Sequence, residues 1–276
     1  MPTQVEKAEV FKALHQRDEP FVVANPWDAG TARILTGLGF QALSTTSAGL
    51  AFTLGRRDGA ASVSRAEALA NAKSIVEATT LPVAADLENG YGHSPEAAAE
   101  TIRLAAETAG LVGGSIEDAT GDPAHPIYDF NHAVERVAAA AAAAHALPFP
   151  FMFVARAENY IHGRPDLDDT IRRLQAFEAA GAEVLYAPGI TRPEDIRAVC
   201  ASVGKPVNVL MGIRGRPPLS VRELGELGVR RISVGSGFSR AAVTAFLHAA
   251  QEVIDQGTFT FAEETLYMSE LADLFN

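Results

Sequence analysis

The segment Pro82 to Gly92, PVAADLENGYG, sets two carboxylates, Asp86 and Glu88, one residue apart at the end of a short apolar run. Acids held that close repel each other unless a cation or a proton lies between them, so a divalent metal is the first expectation. Other polar groups follow other apolar runs. Glu117 and Asp118 close SIEDATG, Arg156 and Glu158 close VARAEN, and Asp58 lies in LGRRDG. The small residues Thr45, Thr46, Ser47, Ala48 and Gly49 offer hydroxyls and backbone N–H groups to a carboxylate or phosphate. Asn208 lies inside the apolar run PVNVL. Oxygen ligands with no His or Cys at ligand spacing suit Mg²⁺, with Mn²⁺ as a substitute, better than zinc. The arginine is left for an anionic substrate.

These residues need a frame that brings them to one place. Short β-rich runs occur at Phe21 to Ala24, Ala42 to Thr45, Pro82 to Asp86, Gly113 to Glu117, Pro150 to Arg156, Glu183 to Ala187, Pro206 to Leu210 and Arg231 to Gly235. Helical patterns fall between them, at Ser64 to Ala78, Ser94 to Thr108, Asp168 to Ala180 and Arg192 to Ser202. Eight β-then-α units predict a closed (β/α)8 barrel, whose functional residues sit just past the C-terminal ends of its strands. Residues 1–276 read as one domain, because no Ser/Gly/Pro-rich spacer or like-charge run interrupts them. Residues 239–276 read as a helical extension, one helix over Ser239 to Asp255 and a second over Phe261 to Asn276. A helix outside a closed ring must bury its apolar side elsewhere, which predicts a homo-oligomer.

Composition narrows the class. The 276 residues are 47% hydrophobic and carry a net charge of -11, with no clustered Lys or Arg, which argues against nucleic acid as a partner. No run is apolar and long enough to span a bilayer, no leader is visible in residues 1–12, and a single cysteine excludes an intrachain disulfide. A cytoplasmic protein acting on a small molecule is expected.

At these motifs the sequence resembles the phosphoenolpyruvate mutase and isocitrate lyase superfamily. TTSAGLAFTLGRRDG is similar to its substrate-cradling loop, ADLENGYG to its metal-binding motif and SIEDATG to its I-E-D motif. VARAEN and PVNVL are similar to its arginine- and asparagine-bearing segments. The resemblance implies Mg²⁺ held directly by Asp86 and through water by Glu88 and Glu117, and 2-oxo acid or enolate chemistry. It also implies that Arg156 pairs with the substrate carboxylate, with Asn208 near it. Asp58 becomes a base or positioning group, and Thr46, Ser47 and Ala48 hold an anionic oxygen. Its last implication is a C-terminal helix swapped between subunits, in a dimer of dimers.

One segment departs from the pattern. The superfamily's lyases carry K-K-C-G-H after the I-E-D motif, with the cysteine as acid; here the segment reads ATGDPAHPIYDFNH. His125 or Tyr128 is expected to supply the missing acid. The expected reaction is C–C cleavage of a small 2-oxo or 2-hydroxy (di)carboxylate through an enolate. The alternatives are P–C bond chemistry, as a mutase or phosphonopyruvate hydrolase, and a non-catalytic 2-oxo acid binding protein.

Overall fold

The computed structural model describes residues 1–59, 62–215 and 218–275. Eight parallel strands close into a barrel in chain order. They are β1 (Phe21–Ala24), β2 (Ala42–Ser44), β3 (Val83–Asp86), β4 (Gly113–Glu117), β5 (Met152–Arg156), β6 (Val184–Tyr186), β7 (Val207–Leu210) and β8 (Arg231–Ser233). The helices are α1 (Gln4–His15), α2 (Ala29–Gly37), α3 (Ser47–Thr53), α4 (Arg65–Glu77), α5 (Pro95–Ala109), α6 (Phe130–His145), α7 (Leu167–Ala179), α8 (Pro193–Ser202), α9 (Val221–Glu226), α10 (Gly237–Gln256) and α11 (Met268–Asp273). The expected (β/α)8 barrel is present, with each expected strand inside its run.

Local chemistry sets the boundaries. Ser64 caps α4 in a reciprocal box with Glu67, and Ser94 caps α5 with Pro95 in the first turn. The core has two shells. Inside the barrel lie Val23, Ala42, Ala84, Val112, Met152, Val154 and Val184, and α1 closes the lower end with Phe11 and Leu14. Gly113 is required there, because a Cβ would stand 2.9 Å from both Met152 O and the Phe11 ring. Outside the strands, Leu43, Val83, Ala85, Phe153 and Leu185 pack under the helices, and alanines from α5 and α6 form a close helix contact.

The C-terminal region differs from expectation. In place of one helix over Phe261 to Asn276, a 3-10 turn (Thr260–Glu264) precedes the six-residue α11, and Asn276 lies outside the described residues. The reason is local: the Glu252 carboxylate accepts from Thr258 Oγ1 and Phe261 N, at 2.7 and 3.1 Å, and so anchors the turn. Thr265 is then extended, and Glu270 accepts from Tyr267 N at 2.7 Å to restart the helix. α10 projects from the barrel with Ser239 as its one buried residue. No described helix is long and apolar enough to cross a membrane.

Candidate active site

The C-terminal strand ends carry the acids. Asp86 ends β3, Glu117 ends β4 and Arg156 ends β5. Arg156 uses every edge of its guanidinium: Nη1 to Asp86 Oδ1 at 2.8 Å, Nη2 to Glu117 Oε2 at 3.1 Å and Nε to Glu158 Oε1 at 2.8 Å. The Tyr186 ring lies 5.1 Å from its Cζ. Glu158 is held in turn, since its backbone N–H donates to Asp118 Oδ1 at 2.8 Å, and Asp118 Oδ2 pairs with Arg173 at 3.0 Å. Asp86 has a second set of donors, with Ser47 Oγ at 2.8 Å and Ser47 N at 3.4 Å from Oδ2. Thr45 Oγ1 accepts the Asp86 backbone N–H.

Glu88 sits in a strained turn. It and Tyr91 are the two non-glycine residues with positive φ among the described residues, at 47° and 57°. The turn is fixed from outside by buried Arg136, which donates to the carbonyls of Asn89, Gly92 and Ser94. Side chains aimed by a strained, clamped turn are a mark of function rather than of a solvated loop.

Electrostatics point the same way. Burial, then the Asp86 and Asp58 charges, push Glu88 up to about 7, against the pull of Arg156. Glu117 is raised well above the ordinary carboxylate range by burial, with Arg156 opposing and neighbouring carboxylates adding. Glu158 is likewise pushed up by burial. Asp58, at the mouth, is raised by partial burial and by Asp86. One guanidinium does not neutralise Asp58, Asp86, Glu88, Glu117 and Glu158, so the site calls for added positive charge.

That donor set is all oxygen, which fits a hard cation such as Mg²⁺. Among the described residues no three His, Cys, Asp or Glu side chains are placed to ligate one ion together. The fit is therefore to a cation held by one carboxylate and by water, with Asp86 oxygens shared with Arg156 and Ser47.

Two adjoining cavities open on these residues. One of about 240 Å³ is lined by Thr46, Ser47, Ala48, Asp86, Arg156 and Asn208 among others; one of about 740 Å³ adds Glu88, Glu117 and Glu158. Asp58 lines both. A larger cavity, of about 860 Å³, lies at the opposite end of the barrel, near His15, Glu183 and Cys200. It lacks a converging acid cluster, and burial pushes the Cys200 thiol up to about 11, which suits a structural thiol.

The structure thus brings together the expected site residues except the two candidate acids, His125 and Tyr128, neither of which lines the cavities. The His125 side chain is 84% exposed and 3.3 Å from Asp122. The reason is the loop itself: Ala119 bridges Ile127, and Thr120 N and Oγ1 bond Pro126 O and His125 O, which leaves the imidazole in solvent. Tyr128 is buried instead, its hydroxyl 2.7 Å from His93 Nδ1. The small-residue cradle is the first turn of α3, capped by Thr46, rather than an open turn. Sequence reasoning missed Arg136, the His93–Tyr128 pair and Asn25, whose side chain joins β1 to the ends of β2 and β8. A polar residue directly after an apolar β run was the available signal for Asn25.

A (β/α)8 barrel with its acids, arginine and cavities at the C-terminal strand ends is an enzyme-type architecture. Residues 11–254 match the family described as phosphoenolpyruvate phosphomutase, and the chain belongs to the phosphoenolpyruvate mutase and isocitrate lyase superfamily. A candidate lyase/mutase from Burkholderia cenocepacia J2315 is 56% identical in sequence, with a TM-score of 0.95 over 99% of this chain and 96% of that one. A 2,3-dimethylmalate lyase is 27% identical, with a TM-score of 0.86 over 100% and 96% of the two chains. An oxaloacetate decarboxylase of Bradyrhizobium sp. strain BTAi1 is 26% identical over 254 residues, covering 90% of this chain and 84% of that protein.

Proposed function

We propose that the protein is a Mg²⁺-dependent lyase that cleaves a C–C bond in a small 2-oxo or 2-hydroxy (di)carboxylate through an enolate. The observation that supports this most is the cluster at the strand ends, where one guanidinium is shared by three carboxylates and, among the described residues, Glu88 and Asp58 have no cation paired with them. Asp86 would hold the metal directly, and Glu88 and Glu117 through water. When bound, the cation supplies stabilisation for the negative charge that develops on the substrate oxygen.

The chain's own residues do the rest. Arg156, locked on three sides, presents a fixed positive charge toward the substrate carboxylate. Ser47 orients Asp86, and Thr46 and Ala48 line the same wall. Asp58, with its raised pKa and a place in both cavities, is suited to take or return a proton at the mouth. Asn208 lines the inner wall. The named activities of the oxaloacetate decarboxylase and the dimethylmalate lyase, both C–C cleavages on small dicarboxylates, favour this bond over P–C.

Incubation with Mg²⁺ and a panel of 2-oxo acids, malates and phosphonopyruvate, following pyruvate, glyoxylate and phosphate, tests the reading. Release of pyruvate or glyoxylate is expected. Phosphate release would transfer the function to P–C chemistry, and saturable binding without turnover would make the protein a binder.

A further inference from the structure

Arg231, the first residue of β8, is a buried cation without an anion. Its Nε and Nη1 are enclosed with no hydrogen-bond partner, and no carboxylate pairs with it among the described residues. Below it lies the Phe11 ring, 5.6 Å from Cζ. The nearby His15 supplies no charge, because burial, followed by Arg231 itself, pushes its pKa down to about 3. Burial lowers Arg231 to about 10, which leaves it protonated at neutral pH. A lone buried charge is strongly unfavourable unless something answers it.

The strand register shows what it faces. Glu117 pairs with Arg156, Arg156 with Tyr186, Tyr186 with Asn208 and Asn208 with Arg231, giving one polar row across five neighbouring strands. The row begins at the last residues of β4, β5 and β6 and ends at the first of β8. Because barrel strands tilt, it descends from the mouth into the interior. Arg231, Asn208, Tyr186 and Ser233 all line the cavity of about 240 Å³ that also holds Asp86 and Arg156. Asn208 Oδ1 is a second buried polar atom without a partner, while its Nδ2 donates to Ser233 Oγ at 3.0 Å. With its carboxamide turned over, Asn208 accepts from Ser233 through Oδ1 and offers N–H to an anion.

We propose that Arg231, with Asn208 and Ser233, forms an inner anion subsite that receives the second carboxylate of the substrate. The substrate is then a dicarboxylate, its 2-oxo acid head at Asp86 and Arg156 and its distal carboxylate down the barrel. This rests on the reading of the site as one for a 2-oxo acid, and it adds the residues that hold the second carboxylate.

Calorimetric titration in Mg²⁺ with two probes tests it: oxalate, which is head alone, and 3,3-difluorooxaloacetate, which adds the second carboxylate. In the native chain the dicarboxylate is expected to bind more tightly than oxalate. Arg231→Met should weaken the dicarboxylate by roughly 10- to 100-fold and leave oxalate within about twofold. The free variant should melt at or above the native temperature, since an unpaired buried charge has been removed. Arg231→Lys, which keeps the charge and loses the fork, should show a smaller loss for the dicarboxylate alone, and serves if Arg231→Met does not fold. Equal loss of both probes, or no loss of either, overturns the subsite while leaving the 2-oxo acid reading in place. Failure of oxalate to bind the native protein overturns that reading, and this one with it.

Discussion

Arg156 and Asp86 decide what the site can do. Arg156 is 13% exposed and bonded to three carboxylates, so Arg156→Ala leaves buried acids unpaired and is expected to cost about 3–5 kcal/mol, read by denaturant unfolding. Loss of activity in that variant therefore needs a stability control beside it. Asp86→Ala is the cleaner probe of chemistry: it should lower Mg²⁺-dependent turnover by at least about 100-fold with the fold intact by circular dichroism. Turnover with His125→Gln is expected to stay within about twofold, because the imidazole stands in solvent. A tenfold fall would show that the loop closes over the site. Asp86, Glu117 and Arg156 were legible in the sequence because each ends an apolar strand, where burial makes a charge conspicuous. Arg231 was not, since its lack of a partner is a tertiary fact, and Arg136 acts on a turn 44 residues away from it.

At the scale of elements, eight strands were legible because strands covered on both faces read as short apolar runs. α1 was not read as an element. Its buried Ala8, Phe11 and Leu14 are mixed with exposed Val5 and Val10, which blurs the apolar stripe. α3 was read as a turn because Thr, Ser and Gly, which open the segment, favour loops as readily as helix starts. α1 also carries a pH dependence. His15 donates Nδ1–H to Phe11 O at 2.7 Å and packs edge-on to Phe11 and Phe21, and its pKa is pushed down to about 3. A base whose folded pKa is lowered binds its proton more readily when unfolded. Its stabilising contribution is therefore present above about pH 6.5 and is lost as pH falls toward 3. Between pH 7 and 5 the native chain should lose about 2 kcal/mol more than His15→Phe, as measured by urea unfolding at both pH values. Equal losses would show that His15 does not report the sealed floor of the barrel.

For the whole molecule, α10 is the anomaly. A 20-residue helix with one buried residue exposes Val243, Phe246, Leu247 and Ile254, and the following tail adds Phe259, Leu266, Tyr267 and Met268. An apolar surface of that extent predicts self-association, and exchange of α10 between subunits is the arrangement proposed. Light scattering is expected to give a dimer or tetramer, and Phe246→Glu to shift it toward monomer without unfolding the barrel. A native monomer would contradict this. The most direct measurement of the enzymatic account is the binding of oxalate, a planar mimic of the pyruvate enolate, to the native chain with and without Mg²⁺, followed by calorimetry. The account predicts saturable binding in Mg²⁺ that weakens at least about 100-fold on chelation and in Asp86→Ala. Oxalate binding of equal strength with and without the metal would contradict it.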